Sequence, residues 1–123
     1  MNMDVIVCVH NAYAETKACI ESILNTNIEH INKLIIVDDS SQKKTKELLK
    51  AFKKSQLKVL LLTTNEQQGY TKSANLGLQH STADISTLLN SDTLVDKNWA
   101  KKTIDFFSAN KEYVVAFVFT AAI

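Results

Sequence analysis

Apolar runs and polar breaks alternate along this chain with a regular beat. Asp4–Val9 hardly alternates and reads as a strand buried on both faces. Tyr13–Leu24 sets Ala18, Ile20, Ile23 and Leu24 at helical spacing. Lys33–Val37 is a second strand, and Lys43–Phe52 a second helix that turns Leu48, Leu49 and Phe52 inward. Lys58–Leu62 is a third strand of nearly pure Val and Leu, and Thr71–Gln79 a short helix with Ala74 and Leu78 on one side. Asp84 turns the chain into a fourth strand, Ile85–Leu89, which Ser86 and Thr87 weaken a little. Asp96 can then cap a helix through Trp99, Ile104, Phe106 and Phe107, and Tyr113–Phe119 closes as a fifth strand. Strand and helix in strict alternation predict an α/β fold, a mostly parallel open sheet flanked by helices on both faces.

Two of these strands end abruptly in polar, acidic residues. Leu34–Val37 runs into Asp38-Asp39-Ser40-Ser41, and Ile85–Leu89 into Asn90-Ser91-Asp92-Thr93. In open α/β sheets the ligand sits outside the carboxyl ends of the strands. Two such ends on one edge can gather a base, a ribose or a phosphate-bound cation. The competing reading is that Asp and Ser only cap the helices that follow.

Composition narrows the classes. With 123 residues the chain is expected to be one domain, 1–123, burying roughly two-thirds of its unfolded surface. A net charge of +1 argues against a nucleic-acid binder, which would need a concentrated basic face. The lysines nonetheless cluster at helical spacing: Lys43, Lys46, Lys50, Lys53 and Lys54 make either a solvated helix face or a weak attraction to anionic membrane lipids. No run approaches the roughly 20 apolar residues of a membrane span, and no signal-peptide pattern opens the chain. The expected compartment is the cytoplasm, with peripheral association at the inner membrane face. Cys8 and Cys19 fit reduced thiols, since two cysteines make neither a disulfide framework nor a metal site.

The first loop, His10-Asn11-Ala12-Tyr13, has no glycine, and the chain holds only two. Neither the Gly-x-Gly-x-x-Gly nor the Gly-x-x-x-x-Gly-Lys-Ser/Thr phosphate loop is present. A diphosphate would need a cation instead, and Asp92 is a sensible ligand for Mg²⁺ or Mn²⁺, which take one or two carboxylates plus substrate phosphates. His10 is either structural or a flat ring that lies against a nucleobase.

Four segments in series, Val5–Asn11, Ile35–Ser41, Asn65–Gly77 and Leu88–Thr93, resemble the family 2 glycosyltransferases with the GT-A fold, whose first half is a Rossmann-like nucleotide-binding unit. The resemblance runs from about Met3 to Phe119. It implies a nucleotide-diphosphate sugar donor (a UDP- or dTDP-sugar), a divalent cation, and transfer with inversion to a glycan or lipid-linked acceptor. By that resemblance Val9, His10 and Asn11 belong to the loop that meets the nucleobase. Asp39 takes the acid that reads the base ring, with Asp38 the second choice. Gly69, Asn75 and Gly77 match the segment near the donor's ribose and phosphates. Asn90-Ser91-Asp92 stands at the family's Asp-x-Asp position, which makes Asp92 the metal ligand.

Three departures qualify the match. Asn90 replaces the first Asp, a form that resembles the rhamnosyltransferase-like branch of surface-polysaccharide enzymes. Ala74 stands where many members have arginine. The chain stops at Ile123, before the family's acceptor-binding half and its general base; Asp105 and Glu112 are the late carboxylates that remain, with nothing to aim them at the site. The expectation is therefore the donor-binding part of an inverting glycosyltransferase of surface polysaccharide synthesis. The alternative is a non-catalytic nucleotide-binding or interaction module left by truncation. Apolar Val114–Phe119 and Ala121–Ile123 suggest a homodimer surface.

Overall fold

In the computed structural model, residues 1–111 are described in full and residues 121 and 122 by backbone alone. Four strands, β1 (Met3–Val9), β2 (Ile31–Asp38), β3 (Val59–Thr63) and β4 (Ile85–Asn90), form one parallel sheet in the order β3-β2-β1-β4. Helices α1 (Tyr13–Leu24), α2 (Lys43–Phe52), α3 (Tyr70–Gln79) and α4 (Trp99–Ala109) connect and cover it. A two-residue strand, β5 (Thr93–Leu94), pairs antiparallel with β6 (Ala121–Ala122) outside the main sheet. Among the described residues the parallel sheet therefore has four of the expected strands. The strand expected over Tyr113–Phe119, and the dimer surface expected on it, fall outside the described residues.

The strand pleat sorts side chains onto two faces. Met3, Val5, Val7 and Val9 of β1, with Leu34 and Ile36 of β2, meet Cys19, Ile20 and Ile23 of α1, Leu49 of α2 and Trp99, Ala100 and Ile104 of α4. Ile6, Cys8, Ile35 and Val37 point the other way, toward Leu76 of α3. Apolar residues on both faces are what a covered parallel sheet demands.

Helix α3 approaches the sheet through small residues. Ser73, Ala74 and Gly77 are its buried stripe, whereas Leu78, expected beside Ala74, is exposed. A Cβ on Gly77 would stand 2.5 Å from Ile6 Cγ2 and 3.3 Å from Val37 Cγ2, so glycine sets this close packing. Two further expectations need correction. Phe106 is 42% exposed, while its neighbour Phe107 packs on the core. The residue flanking α4 is Asn98, not Asp96, whose Oδ1 instead accepts the Asn98 N–H at 2.8 Å in the turn before the helix.

Candidate functional site

The order of the strands places β1 between β2, which precedes α2, and β4, which follows α3. Chain direction across the sheet reverses here, and at such a point the loops beyond two neighbouring strands diverge and leave a crevice. The register aligns the ends: Val9 is opposite Asp38, Asp38 opposite Thr63, and Cys8 opposite both Val37 and Asn90. The loops carrying His10, Asp39 and Asn90 therefore leave one edge.

The first two loops are laced together. Asp39 N–H donates to the Val9 carbonyl at 2.7 Å, and His10 Nδ1 lies 2.6 Å from the Asp39 carbonyl oxygen. A carbonyl only accepts, so Nδ1 carries the proton and Nε2 is left as an acceptor, 3.4 Å from Asn11 Nδ2. Asn11 N–H donates to Ser41 Oγ at 2.8 Å, and Asn11 Oδ1 accepts the Gln42 N–H at 2.7 Å. Asn11, Ala12 and Ser40 all have positive φ, at 57°, 52° and 59°. Asn tolerates that region, but Ala and Ser pay conformational strain there, so the cross-loop bonds must hold the backbone in place.

The two adjacent acids have different tasks. Asp38 is buried, and its carboxylate accepts the Ser41 N–H at 3.0 Å and faces Lys46 Nζ at 3.5 Å. It fixes the turn into α2. Asp39, also buried, sends its carboxylate toward the segment before α3. Oδ1 accepts from Thr64 Oγ1 and the Gln68 N–H, both at 2.8 Å, and Oδ2 from the Gly69 N–H at 2.8 Å. Burial pushes its pKa up, but the bonds from Gln68, Gly69 and Thr64 outweigh that and hold it below the ordinary carboxylate value. Oδ2, with one bond from the protein, retains room for one more donor.

Gly69 is the residue flanking α3 and has φ 91°, a conformation open to glycine at no steric cost. Val9 has its side chain in the core and its carbonyl occupied by Asp39, so it contributes position only. Asn75 is exposed on α3, and Ser91 is half-buried. The Asn90 carbonyl accepts from Thr93 Oγ1 at 2.8 Å and faces Cys19 Sγ at 3.5 Å, which closes the turn after β4. Asp92 is one of the two residues of that turn, but its side chain takes no part in closing it. It is exposed and receives no hydrogen bond from the described residues.

No three His, Cys, Asp or Glu side chains converge among the described residues. A Mg²⁺ or Mn²⁺ site completed by phosphate oxygens and water needs only one or two carboxylates, and the unpaired Asp92 fits that requirement. Asp105 is already paired with Lys101 at 2.6 Å, and Glu112 lies outside the described residues.

The sequence does not single out Thr64, Gln68 or Tyr70, and names Ser41 only as part of the polar strand end. Thr64, Gln68 and Ser41 hold the acids and the loop, and only the fold brings them there. Tyr70 opens α3 as a residue 54% exposed, and its phenol pKa is raised by burial and then by Cys8. An aromatic directly after a loop glycine was the available signal. Among the described residues, no helix is long and apolar enough to cross a membrane.

Comparison with known proteins agrees with this geometry. The profile described as "Glycosyl transferase family 2" matches residues 4–122. An uncharacterized glycosyltransferase of Haemophilus influenzae is 31% identical over 113 residues, which cover 89% of this chain and 45% of that protein. Glycosyltransferase AglE of Haloferax volcanii is 25% identical over 86% of this chain and 35% of its own length. The chain thus spans less than half the length of these relatives. In structure, Staphylococcus aureus TarS 1-349 in complex with UDP-GlcNAc superposes with TM-score 0.82 at 18% identity, covering 90% of this chain and 32% of that one. The mannosyltransferase PcManGT of Pyrobaculum calidifontis, in complex with GDP-Man and Mn²⁺, gives 0.77 at 18% identity, covering 87% and 32%.

Proposed function

This chain belongs to glycosyltransferase family 2, and on that footing we propose that its strand-end cleft is the donor side of an inverting glycosyltransferase. The donor is a nucleotide-diphosphate sugar, and the product a glycan or lipid-linked glycan of surface polysaccharide synthesis, made on the cytoplasmic side. The observation that carries this reading is the register: Cys8 pairs with both Val37 and Asn90, so a histidine, a buried acid and an unpaired carboxylate leave one edge of the sheet. The structural neighbours bound to UDP-GlcNAc and to GDP-Man with Mn²⁺ support it.

Each residue has work suited to its geometry. The His10 ring, tethered through Nδ1 to Asp39, offers a flat face to a base. Asp39 Oδ2 accepts a ring N–H while Oδ1 keeps the loop before α3 closed. A Cβ at Gly69 would meet nothing within 4 Å, so the backbone there is open for the donor to approach. Asn75 and Ser91 add hydrogen-bonding groups toward ribose and phosphates. Asp92 holds Mg²⁺ or Mn²⁺, with the neutral Asn90 amide a weaker ligand. When bound, that cation supplies Lewis-acid neutralisation of the departing diphosphate.

Calorimetric titration with UDP, dTDP and GDP, each with and without Mn²⁺, tests the reading. Expected is binding of at least one diphosphate, strengthened by Mn²⁺ in the wild type and insensitive to Mn²⁺ in Asp92→Ala. Asn90→Asp should strengthen the metal dependence. Equal metal dependence in wild type and Asp92→Ala would overturn the metal assignment, and no binding at millimolar nucleotide would overturn the donor site.

A further inference from the structure

Charge is distributed very unevenly over this molecule. Seven of its 14 lysines lie between residues 43 and 58, where Glu47 is the single acid, a net of +6. The whole chain carries +1, which leaves −5 on the remainder. Lys43, Lys44, Lys50, Lys53, Lys54 and Lys58 are exposed, whereas Lys46 turns inward to Asp38 at 3.5 Å. Lys43 faces Glu47 at 3.8 Å, and Lys44 lies 4.2 Å over the Tyr13 ring. Lys50, Lys53, Lys54 and Lys58 have no acidic partner among the described residues.

The position of this face matters as much as its charge. Helix α2 packs on α1 and on β3, and β3 is the outer strand opposite β4 in the sheet order. Asn90 ends β4 and Asp92 follows it, on the far side of the sheet from β3. Helix α2 starts beside the strand ends, where Gln42 bonds to Asn11, whereas the unpaired Lys50, Lys53, Lys54 and Lys58 lie at its other end and beyond it.

We propose that the lysine face of α2 and the segment after it docks this protein onto anionic lipid headgroups. Two features favour a lipid surface over another polyanion. All 14 cations are lysine and none is arginine. Lysine is a compact, strongly hydrated point charge, suited to a diffuse field of headgroups, whereas bidentate phosphate recognition favours the arginine fork. With buried Asp4, Asp38, Asp39 and Lys33 set aside, the remaining surface is still net negative and repels a polyanion that would wrap beyond the patch. None of the exposed large apolar side chains falls within 43–58, so the attachment is electrostatic and reversible, without insertion.

The proposal stands apart from the donor site, and vesicle co-sedimentation of the full chain tests it. Expected is binding to phosphatidylcholine vesicles containing phosphatidylserine, none to phosphatidylcholine alone, and loss of binding at high salt. The triple variant Lys50→Glu/Lys53→Glu/Lys54→Glu should bind at least about tenfold more weakly. A charge-matched control, Lys97→Glu/Lys101→Glu/Lys102→Glu, should bind like the wild type, and circular dichroism checks that both remain folded. Three results would each overturn the proposal: equal loss in the control, equal binding to neutral vesicles, or equally tight binding to duplex DNA at the same salt. Nucleotide titration of the α2 variant, unchanged from wild type, keeps this outcome separate from that of the donor site.

Discussion

Asp4→Asn measures the buried carboxylate that ties the start of β1 to the turn before β4. Asp4 is fully buried. Its Oδ2 accepts from Lys33 Nζ at 3.1 Å, Ser81 Oγ at 2.9 Å, the Thr82 N–H at 2.7 Å and the Ala83 N–H at 3.0 Å. Oδ1 accepts from Asn32 Nδ2 at 2.9 Å. Burial pushes the carboxyl pKa up, but the bonds from Thr82, Asn32, Ala83 and Lys33 more than offset that and bring it from 3.8 to about 2. At about 1.36 kcal/mol per unit, the folded state prefers the ionised form by about 2 kcal/mol. Because the folded pKa is the lower one, this stability is complete above 3.8 and is lost as pH falls through about 2.

Asparagine keeps an acceptor but removes the charge opposite Lys33, itself buried. Breaking a buried pair from one side costs roughly 3–5 kcal/mol. Lys33 retains Thr82 Oγ1 at 2.7 Å, so the expected loss lies near the lower end, about 3 kcal/mol. Urea unfolding followed by circular dichroism across pH gives the readout. The gap between wild type and variant should be largest near neutral pH, with about half of the ionisation part gone by about pH 3. A gap that is the same at neutral pH and at about pH 3, or below about 0.5 kcal/mol throughout, would refute the reasoning.

The same reasoning gives four further expectations. Asp39→Asn sets an amide N–H against the Gly69 N–H; unfolding should show a loss of about 1–3 kcal/mol, with nucleotide binding weakened alongside. Gly77→Ala drives a methyl into Ile6, and a loss of about 1–3 kcal/mol by thermal melting is expected, relieved in part by Ile6→Val. Gly69→Ala, at φ 91°, should cost about 1–2 kcal/mol with no steric clash, and an unchanged melting curve would contradict that. Burial raises both thiols to about 11, with the Asp39 charge adding to this at Cys8, so only about a thousandth should be thiolate at pH 8; rapid labelling of the native protein by a disulfide reagent would count against it.

Periodicity alone determined most of the elements. The bounds of α1 and α2 agree with the structure to the residue, because amphipathic spacing is a local property that the surrounding fold merely accepts. The strands were placed within two residues at each end, since an apolar β-branched run with polar punctuation fits few other conformations. The shared edge of the strand ends was legible for the same reason: parallel strands carry their carboxyl ends to one side.

What a pattern cannot supply is the partner of each side chain, and there the tertiary structure decided. The resemblance ranks Asp39 above Asp38, but it does not say which groups each carboxylate meets. Packing sent one carboxylate to Ser41 and Lys46, and the other to Thr64, Gln68 and Gly69, 25 to 30 residues away. The inward face of α3 differs from its pattern likewise: Leu78 reads as core, yet the close approach at Gly77 is lined by Ser73, Ala74 and Gly77, with Leu76 packed on Ile6, Ile35 and Val37, and Leu78 stays in solvent. Hydrophobicity along a chain states which residues favour burial, but the available space is set by elements far apart in sequence.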